Sequence, residues 1–310
     1  MPTPAILDCD PGHDDAVAIL LANAHPQVRL LAITVVAGNQ TLDKCTLNAR
    51  RVCSVAGITE VPIAAGADRP LKRPLRVAAA IHGESGLDGV DFDEPTVGIA
   101  AEPAVDLMAE ILSTQPQPVT LIATGPLTNV ATLLRHHPAV TERIGGLVLM
   151  GGSTGRGNTT PYAEFNIHTD PEAAAEVWSS GLDITMVGLN TTHQARVTPG
   201  VLKRIRAFET PVARMCVGLL EFYGAAYRRA SGLGAPPMHD PVAVARVIDP
   251  GVVRCVAAPV SVETSGEFTA GATVVDLDHV TGRPDNTRVA VELDSDGFWD
   301  LVVDAVGSYG

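Results

Sequence analysis

The feature of this sequence that most constrains its fold is a regular alternation between apolar, strand-like runs and helical patterns. Short apolar runs typical of buried strands are predicted at 5–10, 28–37, 61–65, 119–123, 147–150 and 184–187. Helical patterns fall between them, at 14–24, 42–56, 105–113, 127–134 and 171–178. Strands that alternate with helices form βαβ units, whose strands lie parallel in one sheet. The sequence therefore predicts an α/β fold with a mainly parallel central sheet flanked by helices.

The whole chain is predicted to form a single large domain, residues 1–310. Apolar residues make up 46% of the sequence, which is enough for a substantial core, and no Pro/Ser-rich linker or repeat interrupts it. After about residue 198 the pattern becomes more helical, and the runs 256–262 and 287–293 are predicted as strands at the sheet margin. Two long, Gly-rich, polar loops, 72–94 and 151–160, are expected to carry function, because long loops in compact α/β domains usually do.

Charge and cysteine content exclude several classes of protein. The net charge is −13, and no block of Lys and Arg gives the basic footprint of a nucleic-acid-binding protein. The five cysteines are scattered and form no CxxC pair, so the sequence predicts neither a zinc knuckle nor a disulfide framework. There is no apolar run long enough to span a membrane and no secretory signal pattern. We therefore expect a reduced, cytoplasmic protein without a membrane or nucleic-acid partner.

The strongest local signal is a group of four carboxylates at the end of the first predicted strand. Asp8, Asp10, Asp14 and Asp15 fall within eight residues, and Pro11-Gly12 forces a turn between them. One interpretation is a turn followed by an acidic helix cap. Carboxylates crowded at one strand end repel each other, however, and a hard cation such as Ca²⁺ or Mg²⁺ removes that repulsion. Without a His/Cys cluster, zinc or a softer metal is disfavoured.

The same segment also resembles a phosphatase motif. Asp8-Cys9-Asp10 is similar to the DxD nucleophile motif of haloacid-dehalogenase-type phosphatases, which also follows a first strand. That motif normally continues into Thr or Ser, whereas Pro11-Gly12 follows here, with two further acids that would repel a phosphate. The phosphatase remains a minor alternative.

Polar residues also follow the other predicted strands. Because ligands of open parallel sheets bind beyond the carboxyl ends of the strands, these residues are expected to share one face of the sheet. Three strand ends carry Asn39, the segment 123–129 and the segment 150–152. The Gly-rich loop and the residues after it carry Asn158, Glu164, Phe165 and Asn166, and the pair His239-Asp240 precedes a predicted helix at 242–248. Each of these segments alone is weak evidence for a binding site, since a lone Asn is usually a turn residue and a lone His-Asp pair is usually a helix cap. Together they are the side chains needed to bind a polyhydroxylated ligand beside a cation.

These segments resemble the inosine-uridine-preferring nucleoside hydrolases along nearly the whole chain. Seven ordered motifs carry the resemblance: DCDPGHDDAVAILLA from Asp8, VVAGN ending at Asn39, IHGESGLDG from Ile81, ATGPLTNVA from Ala123, LVLMGG from Leu147, AEFNIHTDPEAA from Ala163 and MHDPVAVA from Met238. The resemblance implies an enzyme of nucleoside catabolism and salvage, which hydrolyses the N-glycosidic bond of ribonucleosides such as inosine, uridine and cytidine to ribose and free base.

The resemblance further implies a calcium cofactor. The ion would be held by the carboxylates of Asp10, Asp15 and Asp240 and by the backbone carbonyl of Thr124. It would fix and polarise the attacking water. Asp10 would be the general base that takes the proton of this water as it attacks C1′.

Ribose binding is implied for a set of polar side chains. The matching positions are Asp14, Asn39, Asn158, Glu164, Asn166 and Asp240. Met150 matches a residue that packs on the ribose, although an ordinary core methionine at a strand end fits the pattern equally well. Such contacts would orient and distort the sugar.

The remaining matches concern the nucleobase. His239 matches the residue that protonates the leaving base, and a helix-cap histidine is its alternative. His82 matches a base-pocket residue, and Tyr223 and Tyr227 share a helix face where relatives close over the base; the tyrosines fit an ordinary amphipathic helix equally well. Purine-specific relatives stack the base between tryptophans, but Trp178 and Trp299 lie outside the expected base-pocket loops. This favours the nonspecific or pyrimidine-preferring branch.

A small-molecule ribonucleoside is the expected partner, and relatives suggest a homodimer or homotetramer. An alternative is a non-catalytic nucleoside- or ribose-binding protein on the same scaffold. Such a protein would keep the ribose and metal residues but lose the base or the leaving-group acid. Asp10 and His239 are both present, which favours the enzyme.

Overall fold

The computed structural model describes residues 1–231 and 234–310. The strands in these ranges are β1 (Thr3–Cys9), β2 (Val28–Val35), β3 (Ile63–Ala65), β4 (Val119–Ala123), β5 (Ile144–Met150), β6 (Ile184–Val187), β7 (Val253–Ala258), β8 (Val260–Val262), β9 (Thr273–Val275) and β10 (Thr287–Leu293). The α-helices are α1 (His13–Ala24), α2 (Leu42–Ala56), α3 (Ala79–His82), α4 (Ala104–Thr114), α5 (Thr128–His136), α6 (Phe165–Thr169), α7 (Pro171–Trp178), α8 (Leu189–Thr192), α9 (Pro199–Arg206), α10 (Pro211–Ser231), α11 (Asp240–Ile248) and α12 (Ser295–Gly307). Short 3-10 helices cover Pro138–Arg143 and Pro250–Val252.

The main sheet has eight strands in the order β3-β2-β1-β4-β5-β6-β10-β7. All neighbours in it pair in parallel except β7, which runs antiparallel to β10 at the edge. The chain first builds outward from β1 through β2 to β3 and then returns to the other side of β1 with β4. The strand order therefore reverses between β1 and β4, and the carboxyl ends of these two strands form the crevice where open α/β sheets bind ligands.

The two faces of the sheet bury two separate hydrophobic clusters. Along β1, Ala5 and Leu7 point into one cluster, which includes residues of α1, α2, α10, α11 and α12. Ile6 points into the other, with residues of α4, α5 and α7. Successive side chains of a strand face opposite sides, so a strand covered by helices on both sides is apolar throughout. This confirms the predicted single-domain α/β architecture.

Several elements differ from the prediction. The run 287–293 was predicted at the sheet margin, but as β10 it lies between β6 and β7. The run 256–262 was predicted as one strand, but it forms β7 in the main sheet and β8 in a separate two-stranded sheet with β9. Pro259 lies between them, and a proline cannot donate to a strand ladder, so the run is broken there. In the loop 72–94, the short helix α3 was not predicted; its four residues are too few to show a helical period. Within the described ranges, we find no helix with the length and apolar character needed to cross a bilayer.

Candidate active site

Most of the acidic residues predicted to form the site lie where β1 leads into α1. Asp10 follows the end of β1, and Asp14 and Asp15 lie in the first turn of α1. The backbone N–H of Gly12 donates to Oδ2 of Asp15 at 3.0 Å, which closes the turn. A Cβ on Gly12 would lie 2.5 Å from the His82 ring, so no larger side chain fits here. The local sequence thus places three buried carboxylates at the crevice between β1 and β4.

A fourth carboxylate joins them from a distant part of the chain. Asp240 is the first residue of α11, and one of its carboxylate oxygens lies within 4.8 Å of one oxygen each of Asp14 and Asp15. Two helix N-termini therefore meet at this cluster, and both favour negative charge. Burial raises the pKa of Asp14 to about 7 and raises that of Asp240 well above its ordinary value, with repulsion from the neighbouring acids adding to the shift of each. A divalent cation would remove this electrostatic cost.

Asp10 lies against this cluster and has one oxygen without a partner. Its Oδ2 accepts a hydrogen bond from the backbone N–H of Asn39 at 2.6 Å. Its Oδ1 is buried and has no hydrogen-bond partner among the described residues, and the same holds for Oδ1 of Asp14. Burial, and then repulsion from Asp15, raises the pKa of Asp10 well above its ordinary value. Orphaned carboxylate oxygens beside three converging carboxylates fit a bound metal ion with oxygen ligands.

Glycines allow the backbone to pass close to Asp10. A Cβ on Gly38 would lie 2.1 Å from Oδ2 of Asp10, and one on Gly125 would lie 2.8 Å from Oδ1. Both glycines follow strand ends, after β2 and β4. The Gly-containing motifs at these strand ends are therefore needed to make room for the carboxylate.

Asn39 and Thr124 connect the acids to the neighbouring strand ends. Nδ2 of Asn39 donates to the carbonyl of Asp10 at 3.1 Å and to Oδ2 of Asp15 at 3.2 Å. The hydroxyl of Thr124 donates to Oδ1 of Asp15 at 2.8 Å. The carbonyl of Thr124, the predicted metal ligand, accepts from Nδ2 of Asn166 at 2.7 Å. Asp15 thus has hydrogen bonds from three directions, which fix its orientation.

Asp8, the other acid of the motif, lies outside this cluster. Its Oδ1 accepts from the hydroxyl of Thr34 at 2.7 Å and from Nδ2 of Asn129 at 2.8 Å. Burial raises the pKa of Asp8 to about 7. Asn129 also donates to the carbonyl of Val35, so Asp8 links β1 and β2 to the start of α5.

A second wall is built around Glu164, which caps α6. Its Oε1 accepts from the backbone N–H of Asn166 at 2.8 Å, and its Oε2 accepts from Gly152 at 2.9 Å and from Ile167 at 3.1 Å. Burial raises the pKa of Glu164 to about 7. Asn166 also donates to the carbonyl of Met150 at 3.1 Å. The Gly-rich loop is thereby held against the end of β5.

The opposite end of the site is aromatic. The ring of His239 lies between two hydroxyls, with Nδ1 at 2.7 Å from Oγ1 of Thr192 and Nε2 at 2.7 Å from the hydroxyl of Tyr227. Tyr223 lies one turn before Tyr227, and their ring centroids are 4.9 Å apart. Burial lowers the pKa of His239 to about 3, with repulsion from His193 adding to it. The ring is therefore neutral in this environment.

His82 also lies at this end, held by His13. Its ring stacks on that of His13 with centroids 5.2 Å apart, and the two Nδ1 atoms lie 3.0 Å from each other. The backbone N–H of His13 also points at Nδ1 of His82, at 3.2 Å. Burial lowers the pKa of His82 well below its ordinary value, so the ring is neutral.

The acidic and aromatic ends share one cavity of about 380 Å³. Twelve residues predicted from the sequence line it: Asp14, Asn39, His82, Thr124, Met150, Asn158, Glu164, Asn166, Tyr223, Tyr227, His239 and Asp240. The other two, Asp10 and Asp15, are fully buried beside it. A cavity of this size accommodates a nucleoside-sized ligand.

The cavity is also lined by residues that were not among the predicted site residues, including Ile81, Arg156, Phe165 and His193. His193 follows α8, which begins soon after the end of β6, so the strand-end rule applied to β6 would have indicated this segment. Arg156 is in the Gly-rich loop that was expected to carry function. Trp178 and Trp299 are buried elsewhere in the core and do not line the cavity.

The comparison with known proteins agrees with this geometry. A sequence model described as "Inosine-uridine preferring nucleoside hydrolase" matches residues 5–300. The chain belongs to this family. It is therefore an enzyme that hydrolyses ribonucleosides to ribose and free base by cleaving the N-glycosidic bond. Nucleoside hydrolases are a metal-dependent group of enzymes.

Relatives match over the full length of this nucleoside hydrolase. A pyrimidine-specific ribonucleoside hydrolase RihA from Shewanella sp. (strain MR-7) is 47% identical, covering 100% of this chain and 98% of the relative. An inosine-uridine preferring nucleoside hydrolase from Crithidia fasciculata is 46% identical, covering 100% and 99%. Among solved structures, a purine-preferring ribonucleoside hydrolase from Gardnerella vaginalis superposes with a TM-score of 0.93 at 31% identity, covering 99% of each chain.

Proposed function

We propose that this nucleoside hydrolase cleaves inosine, uridine and cytidine, with Ca²⁺ as its metal and residues 1–310 acting as one catalytic domain. The observation that carries the proposal is the division of one cavity into an acidic end and an end with hydroxyl and imidazole groups. A ribonucleoside has the same division, since its ribose carries hydroxyls and its base carries nitrogen and oxygen atoms. Relatives named for pyrimidine nucleosides and for inosine and uridine support this range of substrates.

The metal would be held by Asp10, Asp15, Asp240 and the carbonyl of Thr124, beside Asp14. Among the described residues, the converging group consists of carboxylates without a sulfur ligand, and two of the buried carboxylate oxygens here have no partner; such oxygen donors suit Ca²⁺ better than a softer ion. When bound, the ion would polarise the attacking water and offset the charge of the buried carboxylates.

Asp10 is the proposed general base. A water attacks C1′ of the ribose, the C1′–N bond to the base breaks, and one proton of the water passes to the carboxylate of Asp10. Asp10 is buried beside the cavity, and its Oδ1 makes no hydrogen bond to a described residue, so the carboxylate can accept a proton from a water placed next to it. The ribosyl group passes through an oxocarbenium-like state, as in glycoside hydrolysis.

The ribose is proposed to lie between the acidic cluster and the Glu164 wall. Asp14, Asn39 and Asn166 line the cavity on this side and offer acceptors and donors to ribose hydroxyls. The amides of Asn39 and Asn166 are held by hydrogen bonds to Asp15 and to the carbonyl of Thr124, so these two side chains need little reorganisation when the sugar binds. Contacts with hydroxyls remote from C1′ can be used to distort the ring toward the transition state.

The departing base is proposed to face His239 and Tyr227. Both side chains line the cavity and carry hydrogens that can stabilise negative charge on the leaving nitrogen or deliver a proton to it. Because burial lowers the pKa of His239, its ring is neutral, and an N–H at Nε2 would donate to the hydroxyl of Tyr227, which lines the cavity beside the base.

A turnover panel tests the proposal. Release of reducing sugar from inosine, uridine, cytidine and adenosine would be measured with purified enzyme, after chelation, and after chelation followed by Ca²⁺ or Mg²⁺. We expect turnover of the first three substrates, loss of turnover with chelator, and recovery with Ca²⁺. Binding of nucleosides without release of sugar would instead support the non-catalytic alternative, and recovery with Mg²⁺ alone would overturn the choice of metal.

A further inference from the structure

His239 is held by a buried hydroxyl that belongs to none of the motifs shared with the family. Thr192 is the last residue of α8, is fully buried, and does not line the cavity. Its Oγ1 lies 2.7 Å from Nδ1 of His239, and this is the only side-chain hydrogen bond of its hydroxyl among the described residues. The ring nitrogen on the other side, Nε2, faces Tyr227, which does line the cavity. The two nitrogens of His239 therefore face different surroundings.

This arrangement decides which nitrogen must carry the hydrogen. A neutral imidazole has one N–H and one lone pair. If the hydrogen is on Nδ1, it points at buried Thr192, and the cavity side of the ring is only an acceptor. If the hydrogen is on Nε2, the ring presents a donor on the side of Tyr227 and the cavity. Only the second tautomer lets His239 assist a departing base.

The second tautomer needs a donor at Nδ1, because a buried lone pair without a partner is unfavourable. The hydroxyl of Thr192 is that donor. A threonine hydroxyl is also able to accept, so it can rotate and receive a hydrogen bond from Nδ1 if the ring gains a second proton. The contact is thus maintained through both states of the ring, which a valine or alanine at this position would not allow.

From this geometry we infer that Thr192 is a positioning residue for leaving-group assistance: its hydroxyl donates to Nδ1 of His239 and holds the ring hydrogen on Nε2, facing the cavity. The inference rests on the proposed function, since it assigns His239 to the leaving base. Thr192 acts through His239 and touches no substrate. Side chains that support a catalytic histidine in this way fix its tautomer and its orientation.

The test compares Thr192→Val with Thr192→Ser. Valine keeps the shape and removes the hydroxyl, whereas serine keeps the hydroxyl. We expect Thr192→Val to lower kcat for inosine by about 10- to 100-fold, a share of the ~10²–10⁴-fold that a positioned acid supplies, with little change in KM. Cleavage of nitrophenyl riboside, whose leaving group needs no proton, should fall far less. Thr192→Ser should restore most of the inosine rate.

Thr191→Val is the matched control. Thr191 is the neighbouring buried threonine, and its hydroxyl accepts from Asn190 rather than contacting His239. The Thr191→Val variant should cleave inosine and nitrophenyl riboside at rates near those of the wild type. In a His239→Ala background, Thr192→Val should cause no further loss on inosine, because the group it positions is gone. Thermal unfolding of each variant shows whether the fold is kept.

Three outcomes would overturn the inference: equal losses on inosine and nitrophenyl riboside, failure of serine to rescue, or an undiminished loss in the His239→Ala background. Each would make Thr192 a structural residue. The proposed function itself would fail on a different result: the wild-type enzyme would release no sugar from any ribonucleoside. The two failures are therefore separable in one set of assays.

Discussion

The acidic end and the aromatic end of the cavity are built in opposite ways. At the acidic end, Asp10, Asp14 and Asp15 come from a single turn between β1 and α1, and only Asp240 arrives from elsewhere. At the aromatic end, nearly every side chain comes from a different element: α3, α6, the segment after α8, α10 and the residue before α11. The acidic end is tied to the central strands of the sheet, whereas the aromatic end rests on helices and loops around it.

This difference suggests that the acidic end carries out the reaction at the ribose, whereas the aromatic end determines which base is accepted. The carboxylates at the switch point of the sheet are held by residues that follow β2 and β4: the backbone N–H of Asn39 donates to Asp10, and the hydroxyl of Thr124 donates to Asp15. The chemistry at the ribose therefore has little freedom to vary. The aromatic end is assembled from separate helices and loops, each of which can change without disturbing the sheet. We therefore expect changes at the acidic end to affect all substrates alike, and changes at the aromatic end to depend on the leaving base.

The largest expected effect tests the acidic end. Asp10→Asn removes the proposed base and should lower kcat by about 10²–10⁴-fold for every substrate, including nitrophenyl riboside. Since burial and neighbouring acids raise the pKa of Asp10, a neutral side chain should not reduce stability in the metal-free protein. Steady-state kinetics and thermal unfolding of the metal-free variant check both parts. Near-normal turnover would mean that the water is activated elsewhere.

The second prediction concerns the role of the aromatic end in assisting the leaving base. His239→Ala removes a donor beside the departing base and should slow inosine cleavage by about 10²-fold or more. Nitrophenyl riboside should be affected far less, and pyrimidine nucleosides should fall in between if they use another protonation site. The decisive quantity is the ratio of the losses on inosine and nitrophenyl riboside. Equal losses would move leaving-group assistance to His82, Tyr223 or Tyr227.

A smaller effect tests whether ribose recognition belongs to the acidic end. Removing the 2′-hydroxyl leaves partners among Asp14, Asn39 and Asn166 unpaired, at a cost of ~1–3 kcal/mol per group. Uridine should therefore exceed 2′-deoxyuridine in kcat/KM by a wide margin. The same ratio should persist in the His239→Ala variant, since the two ends act separately. Similar rates on the two substrates would contradict the assignment of the ribose side.

The smallest effect concerns a residue found only in the structure. His193 is half-buried, lines the cavity, and has its ring centroid 5.8 Å from that of His239. His193→Ala should cost about 0.5–1.5 kcal/mol of base binding, the usual value of such ring contacts. We expect a modest rise in KM and a shift in the inosine-to-uridine preference, with kcat for nitrophenyl riboside unchanged. If kcat falls for all substrates instead, His193 belongs to the catalytic machinery.

The sequence alone determined the sheet and the acidic end. Strand runs that are apolar throughout predict a parallel sheet because both faces are buried, and four acids around Pro11-Gly12 predict a cation because they are close in the chain. The split of 256–262 at Pro259 was missed, although proline gave a local signal for it. The sequence pattern already placed His239 and Asp240 before a predicted helix, and the family resemblance assigned their roles beside Asp10.

Tertiary structure alone decided how the side chains contact each other. That Thr192 meets Nδ1 of His239, or that His193 enters the cavity, depends on where α8 and α11 lie over the sheet. Thr192 and His239 are 47 positions apart in the chain. A periodic pattern reports only which face of an element is buried, because it reflects hydrophobicity within one element. Contacts between elements arise from their packing, so the contacts among the side chains of the aromatic end could be determined only from the folded chain.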